Sequence, residues 1–106
     1  MNIADLRRRI DKVKDSVAIE TVIEKIGGVT LANHWSEWSR AICPFHDDHT
    51  PSAGINRLAG IFFCHACGIK GDVIDVAKEH LARERTPDAP PVTLTTALEW
   101  LEELSR

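Results

Sequence analysis

The chain has no tyrosine, and aromatic residues make up only 6% of it. Three tryptophans and three phenylalanines are a small stock of large core side chains for 106 residues. A chain of this size buries only about 65% of its unfolded surface, so a bound metal would help it fold. Long apolar runs are missing. None approaches the roughly 20 residues of a membrane-spanning helix, and no membrane partner is expected. The opening Met1-Asn2-Ile3-Ala4-Asp5-Leu6-Arg7-Arg8-Arg9 lacks the apolar stretch of a secretory signal. A cytoplasmic, reducing location is therefore expected. Cysteine is scarce: three residues, an odd number, in a compartment where disulfides are rare. An excess of basic charge is missing too. Thirteen Lys+Arg against sixteen Asp+Glu give −3, unlike an autonomous DNA-binding domain. The charge is uneven, with nine basic and eight acidic groups up to residue 70 and four and eight beyond it. Any nucleic-acid surface belongs to the first part. The 27% charged and 43% hydrophobic composition is that of an ordinary globular domain. It excludes a disordered chain, collagen and a long coiled coil.

Ile3, Leu6, Ile10 and Val13 fall on one face of a helix, with Arg7-Arg8-Arg9 as a solvated stretch around it. Ser16 is placed to cap a second helix carrying Ile19, Val22, Ile23 and Ile26, which Gly27-Gly28 ends. The period then changes. Val29–Leu31 and Trp38–Ile42 read as short strands joined by a turn at Asn33–Glu37. Ala53–Asn56 and Gly60–Cys64 read as a second pair, turning at Arg57-Leu58-Ala59. Asp72 can cap a third helix with Val73, Val76, Ala77 and Leu81 on one face. Thr86-Pro87-Asp88-Ala89-Pro90-Pro91 breaks helices. A last helix starting from Thr93 or Thr95 turns Leu94, Ala97, Leu98 and Leu101 inward, with Trp100 as an anchor. The expected organisation is a domain over 1–85, a linker over 86–93 and a C-terminal helix within 94–106.

The chemistry is concentrated in Cys43-Pro44-Phe45-His46 and Cys64-His65-Ala66-Cys67. Each is a pair of soft ligands two residues apart, so one tight turn can aim both at one ion. Gly68 can take the left-handed conformation such turns need. Seventeen residues separate His46 from Cys64, enough for a hairpin to bring the chain back. Cys43, His46, Cys64 and Cys67 make a Cys₃His set, the donor composition of a closed structural zinc site. Inert buried cysteines do not account for two spaced pairs that use every cysteine in the chain. A redox Cys-x-x-Cys would need a βαβ setting that is missing, and would leave Cys43 unexplained. An iron–sulfur cluster remains a rival. His65 must turn its ring away if both flanking cysteines bind. His49, in the acidic stretch Asp47-Asp48-His49, reads as a solvated loop residue, and His34 and His80 have no nameable partner.

Cys43-Pro44-Phe45-His46, Thr50-Pro51-Ser52, Phe62-x-Cys64-x-x-Cys67-Gly68 and Gly71-Asp72-Val73-Ile74 resemble the N-terminal zinc-binding domain of DnaG-type bacterial and phage DNA primases. The segment before the metal motif and the terminal Leu94–Leu101 stretch fit that domain as well. The resemblance implies an α+β zinc ribbon: a small antiparallel sheet with one structural Zn2+ at one end and flanking helices. It implies a module that engages single-stranded template, while a separate Toprim-type polymerase domain makes the RNA primer. The chain would then be a non-catalytic zinc part of a primase, as an excised domain or a free-standing subunit. Four positions depart from the family pattern. His49 replaces a basic residue, Ala53 an aromatic one, and His65-Ala66 a Phe-Gly pair. Arg40 is the only basic residue among 29–42.

Single strands are held by cations together with aromatic faces on which bases stack. Trp35, Trp38, Arg40, Arg57, Phe62 and Lys70 are the candidate contacts, while Phe45 and Phe63 are assigned to the core. So few cations imply weak binding, suited to a module working with a polymerase domain or another replication protein. An alternative keeps the zinc ribbon but directs its surface to a host replication or transcription protein, as in a phage or mobile-element protein. An enzyme in its own right has little support, since no Ser-His-Asp set or carboxylate pair stands out and the metal set is saturated.

Overall fold

The computed structural model describes residues 2–28, 38–47 and 51–106. Trp35, His34, His49, the strand expected at Val29–Leu31 and the turn at Asn33–Glu37 lie outside the described residues. Two helices come first: α1 (Ile3–Ser16) and α2 (Ile19–Gly27). The Asn2 side chain accepts the Asp5 N–H at 2.8 Å and opens α1. Ser16 does not cap α2. It is the last residue of α1, and its hydroxyl donates to the Lys12 carbonyl. Val13 and Val17 are both buried, and Val17, in extended conformation, ends α1 one residue after Ser16. The α2 N-cap is Ala18, without a side-chain hydrogen bond. Gly28 closes α2 at φ 67°, a left-handed conformation that glycine adopts without a Cβ clash.

The sheet has four antiparallel strands in chain order: β1 (Trp38–Ala41), β2 (Ala53–Asn56), β3 (Ile61–Cys64) and β4 (Lys70–Gly71). The two-residue β4 is not evident in the sequence pattern. Register sorts the side chains into two faces. Ser39, Ile55, Phe62 and Gly71 lie in one cross-strand row, and Ala41, Ala53 and Cys64 in the next. Most of these are buried and face the helices. The opposite face carries the row Arg40, Gly54, Phe63 and Lys70, with Trp38 and Ile61 beside it.

This register corrects the phenylalanines. Phe62 is 0% exposed and makes an edge-to-face contact with Phe45 at 6.1 Å, so its ring cannot stack on a base. Phe63, assigned above to the core, is half-buried on the outer face. The reason is parity. Cys64 must face its metal partners on the core side, so Phe62 shares that side and Phe63 points away.

The remaining helices are α3 (Val73–Glu84) and α4 (Leu94–Leu104). Asp72 caps α3 through the N–H groups of Ile74 and Asp75, and the Asp75 carboxylate accepts the Asp72 N–H in return. Burial works against the charged form of Asp72. The Asp75 N–H, the Lys14 ammonium at 3.1 Å and the Ile74 N–H outweigh it and hold the carboxyl below its ordinary value. Thr93 caps α4. Ala97, Leu98 and Leu101 are fully buried in the same core as the α3 side chains Val76 and Ala77. Arg9 on α1 holds Glu102 on α4 through two bonds, at 2.6 and 3.0 Å. His80 finds its partner here, with its ring 5.4 Å from that of Trp100.

Candidate metal centre and the outer face of the sheet

The two ligand pairs converge at one end of the sheet. The donor atoms of Cys43, His46, Cys64 and Cys67 all lie within 4.8 Å of one another. Cys43 follows β1 after one residue, and Cys64 is the last residue of β3. Residues 65–67 turn, and Gly68 at φ 77° completes the turn while donating its N–H to the Cys64 carbonyl at 2.9 Å. The Gly68 expectation is met for the stated steric reason.

The spacing fits zinc. Zn–S bonds of about 2.3 Å and Zn–N bonds of about 2.0–2.1 Å imply tetrahedral edges of about 3.8 Å between sulfurs and about 3.5 Å between sulfur and nitrogen. Cys43 Sγ and Cys67 Sγ are 3.8 Å apart, and His46 Nε2 is 3.3 Å from Cys64 Sγ. A disulfide needs about 2.05 Å between sulfurs, and all three cysteines are free. The protein carries one structural zinc. Its chemistry is to bind three thiolates and one imidazole, and so to join the β1 end of the chain to the β3 turn.

The thiols differ before metal binds. Burial pushes Cys43 up to about 12, helped by its Cys64 and Cys67 neighbours and opposed by the Phe45 N–H. Burial also works against the Cys64 thiolate. The Ser52 hydroxyl, the Cys67 and Ala66 N–H groups and His46 more than offset it and bring Cys64 down to about 6. Ser52 Oγ sits 3.4 Å from Cys64 Sγ and 3.3 Å from His46 Nε2. The Thr-Pro-Ser segment thus delivers a polar neighbour to the metal ligands.

Arg83 on α3 is a contributor that the sequence reading missed. Its Nη1 donates to the Phe45 carbonyl at 2.8 Å, and its guanidinium lies 5.3 Å from the Phe45 ring centre. Its Nε donates to Glu79, also at 2.8 Å. The first ligand pair is therefore clamped from the helix layer. A separation of 38 residues leaves no local sequence signal for this contact.

The proposed nucleic-acid residues divide. Trp38, Arg40 and Lys70 share the outer face and are exposed. The Arg40 and Lys70 side chains have no hydrogen bond or ion pair among the described residues. Arg57 instead turns inward. It donates to Ser39 Oγ at 2.8 Å and lies 4.0 Å from a carboxylate oxygen of Glu20. That ties the β2–β3 turn to α2. Phe63 belongs to the outer face and carries the edge of the His65 ring, centres 4.6 Å apart.

Trp38 owes its position to Gly54. A Cβ built on Gly54 would come 3.2 Å from indole Cε3 and 3.5 Å from Cζ3, so the ring rests on bare backbone. The indole is still 49% exposed. A hollow of about 410 Å³ opens beside it, lined by Arg40, Ser52, Gly54 and His65 among others. A wider groove of about 870 Å³ runs past Lys70 and Phe63 to the β2–β3 turn and the α1–α2 junction. Among the described residues, no helix is long and apolar enough to cross a membrane.

Comparison with known proteins agrees with this architecture. The CHC2 zinc finger family matches residues 6–87. The DNA primase of Aquifex aeolicus is 40% identical over 73 residues, 69% of this chain and 13% of the relative. The DNA primase of Thermotoga maritima is 37% identical over 73 residues, 69% of this chain and 12% of the relative. The gene 58 protein of Mycobacterium phage D29 is 48% identical over 42 residues, 40% of this chain and 33% of that protein. The chain thus spans about an eighth of the length of these primases and a third of the phage protein. The family match includes all four metal ligands and well over half of the sequence, and the chain belongs to the CHC2 zinc finger family.

Proposed function

We propose that this protein is the zinc-binding module of a DNA primase. It holds single-stranded template on the outer face of its sheet, in the cytoplasm, while a Toprim-type polymerase domain makes the RNA primer. The observation that carries this reading is the outer row itself. Two cations without a partner among the described residues, Arg40 and Lys70, bracket Gly54 and Phe63, with Trp38 lying over Gly54. Aromatic faces accept bases, and cations contact phosphates. Trp35 remains a candidate contact in this reading, and Arg57 is secondary because its guanidinium serves the fold. Residues 94–106 extend the domain as a helix carrying acidic groups toward a protein partner.

With at most two phosphate contacts the salt dependence is shallow, log K falling against log salt at a slope no steeper than about −1.4. Fluorescence anisotropy of zinc-loaded protein with short single-stranded DNA tests this. Trp38→Ala and Arg40→Ala should each weaken binding, and Lys70→Ala should flatten the salt dependence, with zinc content unchanged. Unaltered affinity in all three would remove the outer face as the site. A second reading, docking of a replication or transcription protein, is favoured by the β2–β3 hairpin. Leu58 there is 88% exposed and Ile61 38%, beside the wider groove. Copurification of such a protein, with no DNA affinity even at low salt, would establish that reading instead.

A further inference from the structure

We infer that the hollow over β2 is a pocket for one unstacked nucleobase, with Arg40 placed to select guanine. This rests on the proposed binding of single-stranded DNA and names what one part of that surface reads.

The hollow has a flat floor because β2 presents Gly54 to the outer face, where any other residue would place a side chain. Its walls come from neighbouring strands. On the β1 side stand Trp38 and Arg40, and beyond the end of β3 stands His65. Both rings are seated. Trp38 rests on Gly54. The His65 backbone N–H donates to the Ser52 carbonyl at 3.0 Å, and its ring is held by the contact with Phe63 at 87° between ring planes. Seated rings lose little freedom when a base arrives. A volume of about 410 Å³ lies toward the small end of the range of about 300–1,000 Å³ for small-molecule sites. That suits a base, whereas a folded partner needs a broad surface.

Arg40 supplies the selectivity. Its guanidinium is exposed at the hollow, with no hydrogen-bond or ion-pair partner among the described residues. A guanidinium presents a planar fork of donors, and guanine offers two adjacent acceptors, O6 and N7, to such a fork, whereas thymine and adenine offer no adjacent pair. Lys70 lies three strands away across the same row and remains available for phosphate. The cationic pair thus divides its work, with Arg40 reading an edge and Lys70 holding the backbone.

The test is anisotropy of the zinc-loaded chain with oligothymidine of about 12 nucleotides, within the site sizes of small single-strand binders. One central position carries thymine, guanine or no base. Guanine should bind at least about fivefold tighter than thymine, the low end for a bidentate arginine contact. The abasic strand should bind weakest. Arg40→Lys keeps the charge and loses the fork, so it should bring the guanine-to-thymine ratio near one. Gly54→Val should lower the guanine affinity by unseating Trp38, with zinc stoichiometry and circular dichroism unchanged. Equal affinity for all three strands, with salt-sensitive binding intact, would overturn the pocket while leaving the template-binding reading in place. A guanine preference that survives Arg40→Lys would overturn the role of Arg40. No binding to any strand at low salt would overturn both the pocket and the reading on which it rests.

Discussion

The two faces of the sheet are built from the same four strands and obey opposite demands. On the core face, Ile55, Phe62 and Cys64 are at most 1% exposed and packed against helices. On the outer face, Trp38, Arg40, Phe63 and Lys70 remain wholly or partly open to solvent. Successive residues therefore have different work: Phe62 holds the fold, and Phe63 faces whatever the sheet binds. The zinc end ties the faces together. Cys64 closes the core row, while the turn that follows it carries exposed His65 to the outer side. Metal binding and surface display are thus properties of one short segment, and loss of the first should abolish the second.

The largest effect should come from removing zinc. Structural zinc in small modules contributes on the order of 10–16 kcal/mol of apparent binding free energy, and the strands here are only two to four residues long. Chelation should melt the sheet, seen as loss of its circular dichroism signal and of any DNA binding. An unchanged spectrum would show that the core face stands without the metal. The affinity for zinc should also fall with pH. Cys43 must release a proton that burial holds up to about 12, whereas Cys64, lowered to about 6, is already ionised at neutral pH. Affinity should drop at least about tenfold for each unit below pH 8, measured by competition with a chromophoric chelator.

A paired substitution sharpens the comparison of faces at smaller cost. Phe62→Ala should destabilise by about 3–5 kcal/mol, as for other fully buried aromatic side chains. Phe63→Ala should cost well under half of that in urea denaturation, yet weaken single-strand binding by about 1–3 kcal/mol. Equal destabilisation by both would mean that the faces are not distinct.

The smallest effect concerns the cap that follows β4. Asp72→Ala should cost about 1 kcal/mol at neutral pH. Because the folded-state value of Asp72 is lowered, its contribution is present above the unfolded value and is lost as pH falls through the folded one. The wild-type and variant stabilities, measured from pH 7 down to acid, should therefore converge. A gap that stays constant into acid would indicate that the capping carboxylate is not the cause.

Much of this architecture is legible in the sequence because its signals are local. The spacing of the two ligand pairs gives the metal set, Gly68 marks the turn, and Asp72 and Thr93 mark helix starts. The unread parts depend on distance or parity. Arg83 reaches the Phe45 carbonyl from 38 residues away. The packing of Trp38 on Gly54 needs the β1–β2 register. Ser16 resembles a cap, but it completes the last turn of α1, and the break falls at buried Val17 and Ala18. The exchange of Phe62 and Phe63 was recoverable, because in a strand ending at a metal ligand the residue two before it must share its side. Arg57 could not be assigned to solvent or core from a turn sequence alone, since Ser39 and Glu20 claim it only in the folded chain.

The most direct test of the two-faced sheet is to follow aromatic and methyl side-chain resonances of zinc-loaded protein by nuclear magnetic resonance while adding single-stranded DNA. The account predicts that the rings of Trp38, Phe63 and His65 shift together, while those of Phe45 and Phe62 stay in place. Shifts confined to Leu58 and Ile61 at the hairpin or to α4, with the outer-face rings unmoved, would contradict it.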